Sequence, residues 1–213
     1  MPRAIAFLLA LFAPFAVVAQ ATSTLLPRVK LETSLGNIVV EVDTVRAPLT
    51  AENFLRYVRD GAYDGTVFHR VIANFVIQGG GYDERLAQRP ARASIPNESG
   101  NGLSNRRGTL GLAREDSPHS GNSQFYINLA DTPALDPLPS RWGYAVFGRV
   151  IEGMEVVDKI GYLRTETVAN FGGDVPIDRP VLRRAYVLED SVNAPATPPA
   201  PPQPNAEKAD AAQ

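Results

Sequence analysis

The chain has 213 residues, no cysteine and a formal net charge of -2. Its length accommodates one ordinary domain with extensions, and its lack of cysteine excludes disulfides, zinc–thiolate sites and a cysteine nucleophile. The charge balance gives no strong basic field that would attract nucleic acid or an anionic membrane, so we expect other proteins as partners and no nucleic acid.

The first 21 residues have the pattern of a secretory signal peptide. Met1-Pro2-Arg3 forms a short positive region, an almost unbroken apolar run covers residues 4–18, and small residues offer cleavage after Ala19 or Ala21. The apolar run is shorter than the ~20 residues that a transmembrane anchor needs. We therefore predict a signal peptide over 1–21, a short lead over 22–27 and no stable membrane insertion after cleavage.

A hairpin and a helix are predicted next. Strand-like runs cover residues 28–34 and 37–43, and Leu35-Gly36 between them suits a tight turn. A helix should follow, because Pro48 suits a first turn, apolar residues then recur with helical spacing, and Gly61 can end the helix.

The rest of the folded part consists mostly of predicted strands. They lie at residues 65–72, 75–78, 109–113, 123–129, 144–150 and 180–189, and a second helix lies at 154–160. About eight strands and two helices in roughly 165 residues suit a β-barrel with helices against its open ends. Stretches rich in glycine, asparagine, proline and arginine predict two long irregular loops, at 81–108 and 163–179.

The composition changes sharply near residue 191. Six of the chain's 18 prolines lie between Pro195 and Pro204, and the last residues are rich in alanine and charge. Such a segment cannot bury a core. We therefore predict a folded domain over 28–190 and an extended, mobile tail over 191–213.

Two motifs place polar side chains inside apolar strands. The run FHRVIANFVIQGG covers residues 68–80, and GNSQFYIN covers 121–128. Buried polar groups are costly unless they are partnered, so Arg70, Gln78 and Gln124 indicate either an internal hydrogen-bond network or a ligand site. Strand alternation allows both glutamines to face one groove beside Arg70.

Together these motifs resemble the signature of the cyclophilin-type peptidyl-prolyl cis-trans isomerases. Pro96-Asn97-Glu98 and Phe147-Gly148-Arg149-Val150 add similarity to the exported bacterial branch of that family. The resemblance implies a mostly β fold, a closed antiparallel eight-stranded barrel with two capping α-helices. It also implies a monomeric enzyme without cofactor or metal that accelerates Xaa-Pro rotation in proline-containing polypeptides. With the signal peptide, it implies a role in the folding of exported proteins in a bacterial periplasm.

The resemblance also assigns roles to individual residues. Arg70 is expected to donate a hydrogen bond to the prolyl nitrogen, Gln78 to orient Arg70, and Phe75 to pack against the proline ring. The other expected groove residues bind substrate: Val76, Ala113, Arg114, Gln124, Tyr126, Ala134, Leu135 and Tyr144.

Three of these positions depart from the family pattern. Ala134 stands where many members have tryptophan, Tyr144 where histidine is usual, and Arg114 where asparagine is frequent. Because that tryptophan is a main determinant of cyclosporin binding, we expect weak cyclosporin binding.

Other interpretations remain open. Without the motif around it, Arg70 would be read as a structural ion-pair partner, and the glutamines as residues that only satisfy barrel hydrogen bonds. Neither His69 nor His119 has the spacing of a metal ligand, so both are expected to be structural or solvent-facing. The competing function is a noncatalytic proline-peptide-binding chaperone that uses the same groove, and the proline-rich tail would also fit that groove.

Overall fold

A computed structural model describes residues 25–189. The predicted signal peptide and the predicted tail therefore lie outside the described residues. The strands are β1 (Arg28–Thr33), β2 (Gly36–Val42), β3 (Thr66–Ile72), β4 (Val76–Asp83), β5 (Thr109–Leu112), β6 (Phe125–Asn128), β7 (Val146–Glu152), β8 (Thr165–Val168), β9 (Gly172–Pro176) and β10 (Val181–Val187), and the helices are α1 (Pro48–Arg59), α2 (Met154–Gly161) and a 3-10 turn (Pro133–Leu135).

Eight of the strands form a closed barrel. Their order around it is β1-β10-β3-β4-β6-β5-β7-β2, and every neighbouring pair is antiparallel. Closure leaves no unpaired strand edge in the barrel, which removes the usual site of edge-to-edge aggregation. The predicted fold class is confirmed.

Helix α1 packs an apolar face against the barrel, as its spacing predicted. Phe54 lies at the centre of this contact, with ring centroids 5.4 Å from Tyr63, 5.4 Å from Phe125 and 5.1 Å from Phe147. Gly61 follows the helix with φ +64°, a conformation that favours glycine at a helix C-terminus. Helix α2 buries Val157 and Ile160 against the barrel in the same way.

The predicted loop over 163–179 is partly wrong, because it contains the hairpin of β8 and β9. Thr165 and Glu166 pair with residues of β9, and the turn uses left-handed backbone at Asn170 (φ 71°) and Gly172 (φ 85°). The β-branched residues of β8 favour a strand, and an asparagine and a glycine favour the turn. The strand is only four residues long, and the abundance of glycine, asparagine and proline around it obscured the signal.

Two further boundaries differ from prediction. Strand β4 continues to Asp83, so the first long loop begins later than expected. Strand β6 begins at Phe125, which leaves Gln124 just outside the ladder.

Within residues 25–189, no helix is long and apolar enough to cross a bilayer.

Candidate active site

The polar residues of the two motifs lie on the outer face of the barrel. Arg70 of β3 pairs with Gln78 of β4, and Gln78 pairs with Tyr126 of β6. Ile77 and Ile127 alternate with these residues and are fully buried inside the barrel. The strand period therefore brings the candidate side chains together on one surface.

A chain of side-chain hydrogen bonds connects this cluster. Gln78 Nε2 donates to Gln124 Oε1 at 2.9 Å, and Arg70 Nη1 donates to Gln78 Oε1 at 3.4 Å. The first bond fixes the Gln78 amide so that its oxygen faces Arg70. Of the two alternatives left open by the sequence, the hydrogen-bond network is present, and it borders a cavity.

The cavity has a volume of about 300 Å³. Five expected site residues line it, together with residues that the sequence did not indicate. The expected ones are Arg70, Gln78, Ala113, Arg114 and Gln124, and the others include His69, Tyr82, Gln88, Asn122, Asn170 and Phe171.

His69 forms a buried part of the cavity wall. Its side chain is 5% exposed and packs edge-on against the Tyr82 ring, with centroids 4.7 Å apart. Burial lowers the pKa of His69 to about 4, and the positive charge of Arg70 adds to the shift, while the Val67 backbone and the Gln124 side chain oppose it. His69 is therefore neutral at pH 7.

Tyr126 is held by a residue of the long first loop. Its hydroxyl donates to Asn105 Oδ1 at 2.6 Å, and Asn105 Nδ2 donates to Asp136 Oδ1 at 2.9 Å. Burial raises the pKa of Tyr126 well above its ordinary value, with smaller contributions from Tyr144 and Asp136, so the hydroxyl remains a donor. No sequence pattern indicated Asn105, because a buried asparagine in an irregular loop has no periodic neighbours.

A second group of expected residues surrounds Tyr144. The Arg114 guanidinium carbon lies 4.4 Å from the centroid of the Tyr144 ring, and the Tyr126 ring lies 6.1 Å away. Arg114 also donates to the Trp142 carbonyl at 3.1 Å and the Gly143 carbonyl at 3.3 Å. Arg114 thus joins two loops at the rim rather than standing free in the cavity.

Six expected site residues do not line the cavity. Val76 and Tyr126 are buried at 2% and 4% exposure, and Phe75 is half-buried in the turn between β3 and β4. Ala134 is exposed in the 3-10 turn, and the carbonyl of Leu135 accepts a hydrogen bond from the Tyr144 amide at 2.9 Å. The residues in question are Phe75, Val76, Tyr126, Ala134, Leu135 and Tyr144.

Comparison with known families identifies the family of this chain. The model of the family described as cyclophilin type peptidyl-prolyl cis-trans isomerase/CLD matches residues 28–186. The chain belongs to this family. The match covers all ten strands except the last residue of β10, and both helices, so the barrel and the motif residues of this cyclophilin lie inside it.

Two bacterial relatives are similar to this cyclophilin over nearly their full length. Peptidyl-prolyl cis-trans isomerase cyp18 of Streptomyces antibioticus is 48% identical over 163 residues, which is 75% of this chain and 98% of the relative. Peptidyl-prolyl cis-trans isomerase B of Escherichia coli is 42% identical over 164 residues, with coverages of 76% and 99%. This cyclophilin is accordingly a peptidyl-prolyl cis-trans isomerase.

A solved structure agrees with the fold. A cyclophilin-type isomerase of Cryptosporidium parvum, determined in the presence of the dipeptide Ala-Pro, matches with a TM-score of 0.62 at 25% identity. The alignment covers 76% of this chain and 98% of that one.

In the described part of this chain, no three histidine, aspartate or glutamate side chains converge as metal ligands would.

Proposed function

We propose that Arg70 is the catalytic donor of this isomerase and that its substrates are Xaa-Pro bonds in proteins folding after export. Rotation about such a bond is opposed by a barrier of ~18–20 kcal/mol from amide resonance. No bond is broken, so catalysis needs only a group that favours the twisted state. A donor to the prolyl nitrogen does this, because twisting localises the nitrogen lone pair.

The position of the Arg70 guanidinium is the observation that carries this proposal. It borders the cavity, its side chain is 39% exposed, and Gln78 and Gln124 form a relay of hydrogen bonds behind it. A bound peptide can therefore reach the guanidinium. The relay limits the orientations that Arg70 samples, which reduces the entropy lost when it binds the substrate.

The donor alone does not supply the whole acceleration. Raising a rate of ~0.01 per second to ~100 per second requires ~5 kcal/mol, and one charged hydrogen bond supplies ~1.5 to 3 kcal/mol. Apolar contacts that exclude water from the carbonyl and hold the proline ring would supply the rest. We assign the contact with the proline ring to the half-buried Phe75 and Leu135, and the exclusion of water to these residues together with the buried Val76 and Tyr126.

An Arg70→Ala variant tests the assignment. We expect the kcat/KM for a peptide with an Ala-Pro bond to fall by about 10- to 150-fold, which corresponds to the loss of one charged hydrogen bond. The measurement is a protease-coupled isomerisation assay with purified mature protein. Arg183→Ala is the matched control, because Arg183 is exposed on β10. Wild-type activity in a folded Arg70→Ala variant would refute the assignment.

The part of the proposal that concerns export rests on the sequence of residues 1–21. We expect the mature protein in the periplasm of a Gram-negative host, with an N-terminus at Gln20 or Thr22 after cleavage behind Ala19 or Ala21. Cell fractionation followed by intact-mass measurement checks this. A full-length mass found only in the cytoplasm would contradict it.

A further inference from the structure

The hairpin of β8 and β9, which we call the side hairpin, forms one wall of the cavity. Asn170 and Phe171 at its turn line the cavity, and the Phe171 ring lies 4.9 Å from the Tyr82 ring, centroid to centroid. Asp174 in β9 lies next to the reaction centre, with its Oδ2 atom 3.5 Å from Arg70 Nε. The side hairpin therefore brings a negative charge to the proposed catalytic cation.

Asp174 and Gln78 contact different nitrogen atoms of the same guanidinium. Asp174 lies at Nε and Gln78 at Nη1, and no hydrogen bond within residues 25–189 uses Nη2. Contacts at two nitrogen atoms restrict the orientations that the planar guanidinium adopts by rotation about the Cδ–Nε bond. The third nitrogen atom remains as a donor for a ligand.

The side hairpin is anchored well enough to hold Asp174 in place. Val175, next to Asp174, is 1% exposed, and the Ile177 amide donates to the Arg164 carbonyl at 3.0 Å across the base of the hairpin. Arg179, three residues beyond β9, approaches Glu166 of β8 to 3.7 Å. Asp174 is thus carried by a fixed strand rather than by a free loop.

We propose that Asp174 is a positioning residue that orients Arg70 so that its guanidinium donates a hydrogen bond to the prolyl nitrogen. This inference rests on the proposed role of Arg70. The alternative is a surface ion pair without consequence for the reaction, since the two side chains are 39% and 40% exposed and such pairs contribute little to stability. The two interpretations therefore differ in the effect they predict on the rate of isomerisation, and not in the effect they predict on stability.

An Asp174→Asn variant removes the charge and keeps the size of the side chain. We expect kcat to fall by about three- to tenfold while KM changes less than twofold, since orientation acts in the twisted state more than in ground-state binding. Asp174→Glu, which restores the charge, should recover part of the lost kcat. Both constants are measured by NMR exchange analysis over a range of Ala-Pro peptide concentrations.

Asp178→Asn is the matched control, because Asp178 is an exposed aspartate four positions along the chain. It should leave kcat and the melting temperature unchanged. The Arg70 Nε–Hε signal in a ¹⁵N spectrum gives a second readout that does not depend on turnover. It should shift in Asp174→Asn and not in Asp178→Asn. Should Asp174→Asn fail to fold, Asp174→Ser is measured in its place.

The outcomes separate this inference from the proposed function. If Arg70→Ala is inactive but Asp174→Asn matches the control in kcat and in the Arg70 signal, the positioning role is refuted and the role of Arg70 stands. A higher kcat in Asp174→Asn would also refute it, because the carboxylate would then restrain the donor. If Arg70→Ala retains wild-type activity, the proposed function fails first and this inference with it.

Discussion

Two glycines determine where the polar side chains of the groove can lie. A Cβ atom at Gly81 would lie 2.6 Å from Gln124 Cγ, and one at Gly111 would overlap the Tyr126 ring. Both side chains therefore lie flat across the backbone of a neighbouring strand. A larger residue at Gly81 would displace Gln124 from Gln78, and one at Gly111 would displace Tyr126 from Asn105. The site therefore depends on the absence of a side chain at both positions.

The alanine at position 134 leads to a prediction about cyclosporin. Ala134 is exposed in the 3-10 turn, and it stands where many cyclophilins have tryptophan. We expect Ala134→Trp to lower the inhibition constant of cyclosporin by about tenfold or more, because a buried aromatic contact is a frequent hot spot of binding. Inhibition of the isomerisation assay measures this.

Ala91→Trp controls for adding an exposed aromatic elsewhere, since Ala91 is exposed in the first long loop. Its inhibition constant should equal that of the wild type. Inhibition of the wild type as tight as that of tryptophan-bearing relatives would show that the expectation of weak binding is wrong.

At the scale of elements, the first long loop is irregular in shape but firmly attached. Asn97 Nδ2 donates to the Pro118 and Gly143 carbonyls, both at 3.0 Å, and Asn101 Nδ2 donates to the Val146 carbonyl at 2.9 Å. Glu98 accepts hydrogen bonds from the Leu49 and Thr50 amides. The loop therefore supplies the N-terminal cap that helix α1 lacks, because Ala47 at its N-cap position has no capping side chain.

A Glu98→Ala variant tests this long-range cap. The Thr50 amide and hydroxyl donate to Glu98 Oε2 at 2.8 and 2.7 Å. Loss of the carboxylate leaves helix amides without a charged acceptor, so we expect the free energy of unfolding to fall by about 1 to 2 kcal/mol. The melting temperature should fall by about 2 to 8 °C. Calorimetry measures both changes.

The exposed residue Glu84 provides the matched control for this prediction. Glu84→Ala should leave the melting temperature within about 1 °C of the wild type, as surface substitutions usually do. Equal melting temperatures for Glu98→Ala and Glu84→Ala would show that the contact has no stabilising effect.

For the whole molecule, the buried histidine in the cavity wall makes stability depend on pH. The pKa of His69 is about 4 in the folded chain, below its ordinary value of 6.5. Between these values the unfolded chain binds a proton that the folded chain does not. Stability therefore rises with pH across this window, and it is lost as the pH falls from 6.5 toward 4.

Replacing this histidine should reduce the pH dependence. From pH 7 to pH 4.5 we expect the wild type to lose about 2 to 3 kcal/mol more unfolding free energy than His69→Gln, from the difference between the two pKa values. Urea unfolding at several pH values measures the difference. Parallel slopes for the wild type and His69→Gln would contradict the prediction.

The sequence alone was sufficient for most of the barrel. Runs of β-branched and aromatic residues located the eight barrel strands, although β4 extends five residues beyond its predicted end. Helical spacing located α1, flanking glycines located α2, and the closure of the barrel followed from the family resemblance. The two motifs also indicated the shared outer face of Arg70, Gln78 and Gln124. The resemblance they carry led to the family that the comparison then showed.

Only the tertiary structure revealed the contacts between segments that are distant in sequence. Asp174 meets Arg70 across 104 positions of the chain, and Asn105 meets Tyr126 by way of an irregular loop. The hydrogen bond from the Thr50 amide of α1 to Glu98 is likewise a contact between distant segments. Local periodicity cannot indicate such partners, because a single polar residue in a loop acquires its role from whatever the closed barrel places beside it.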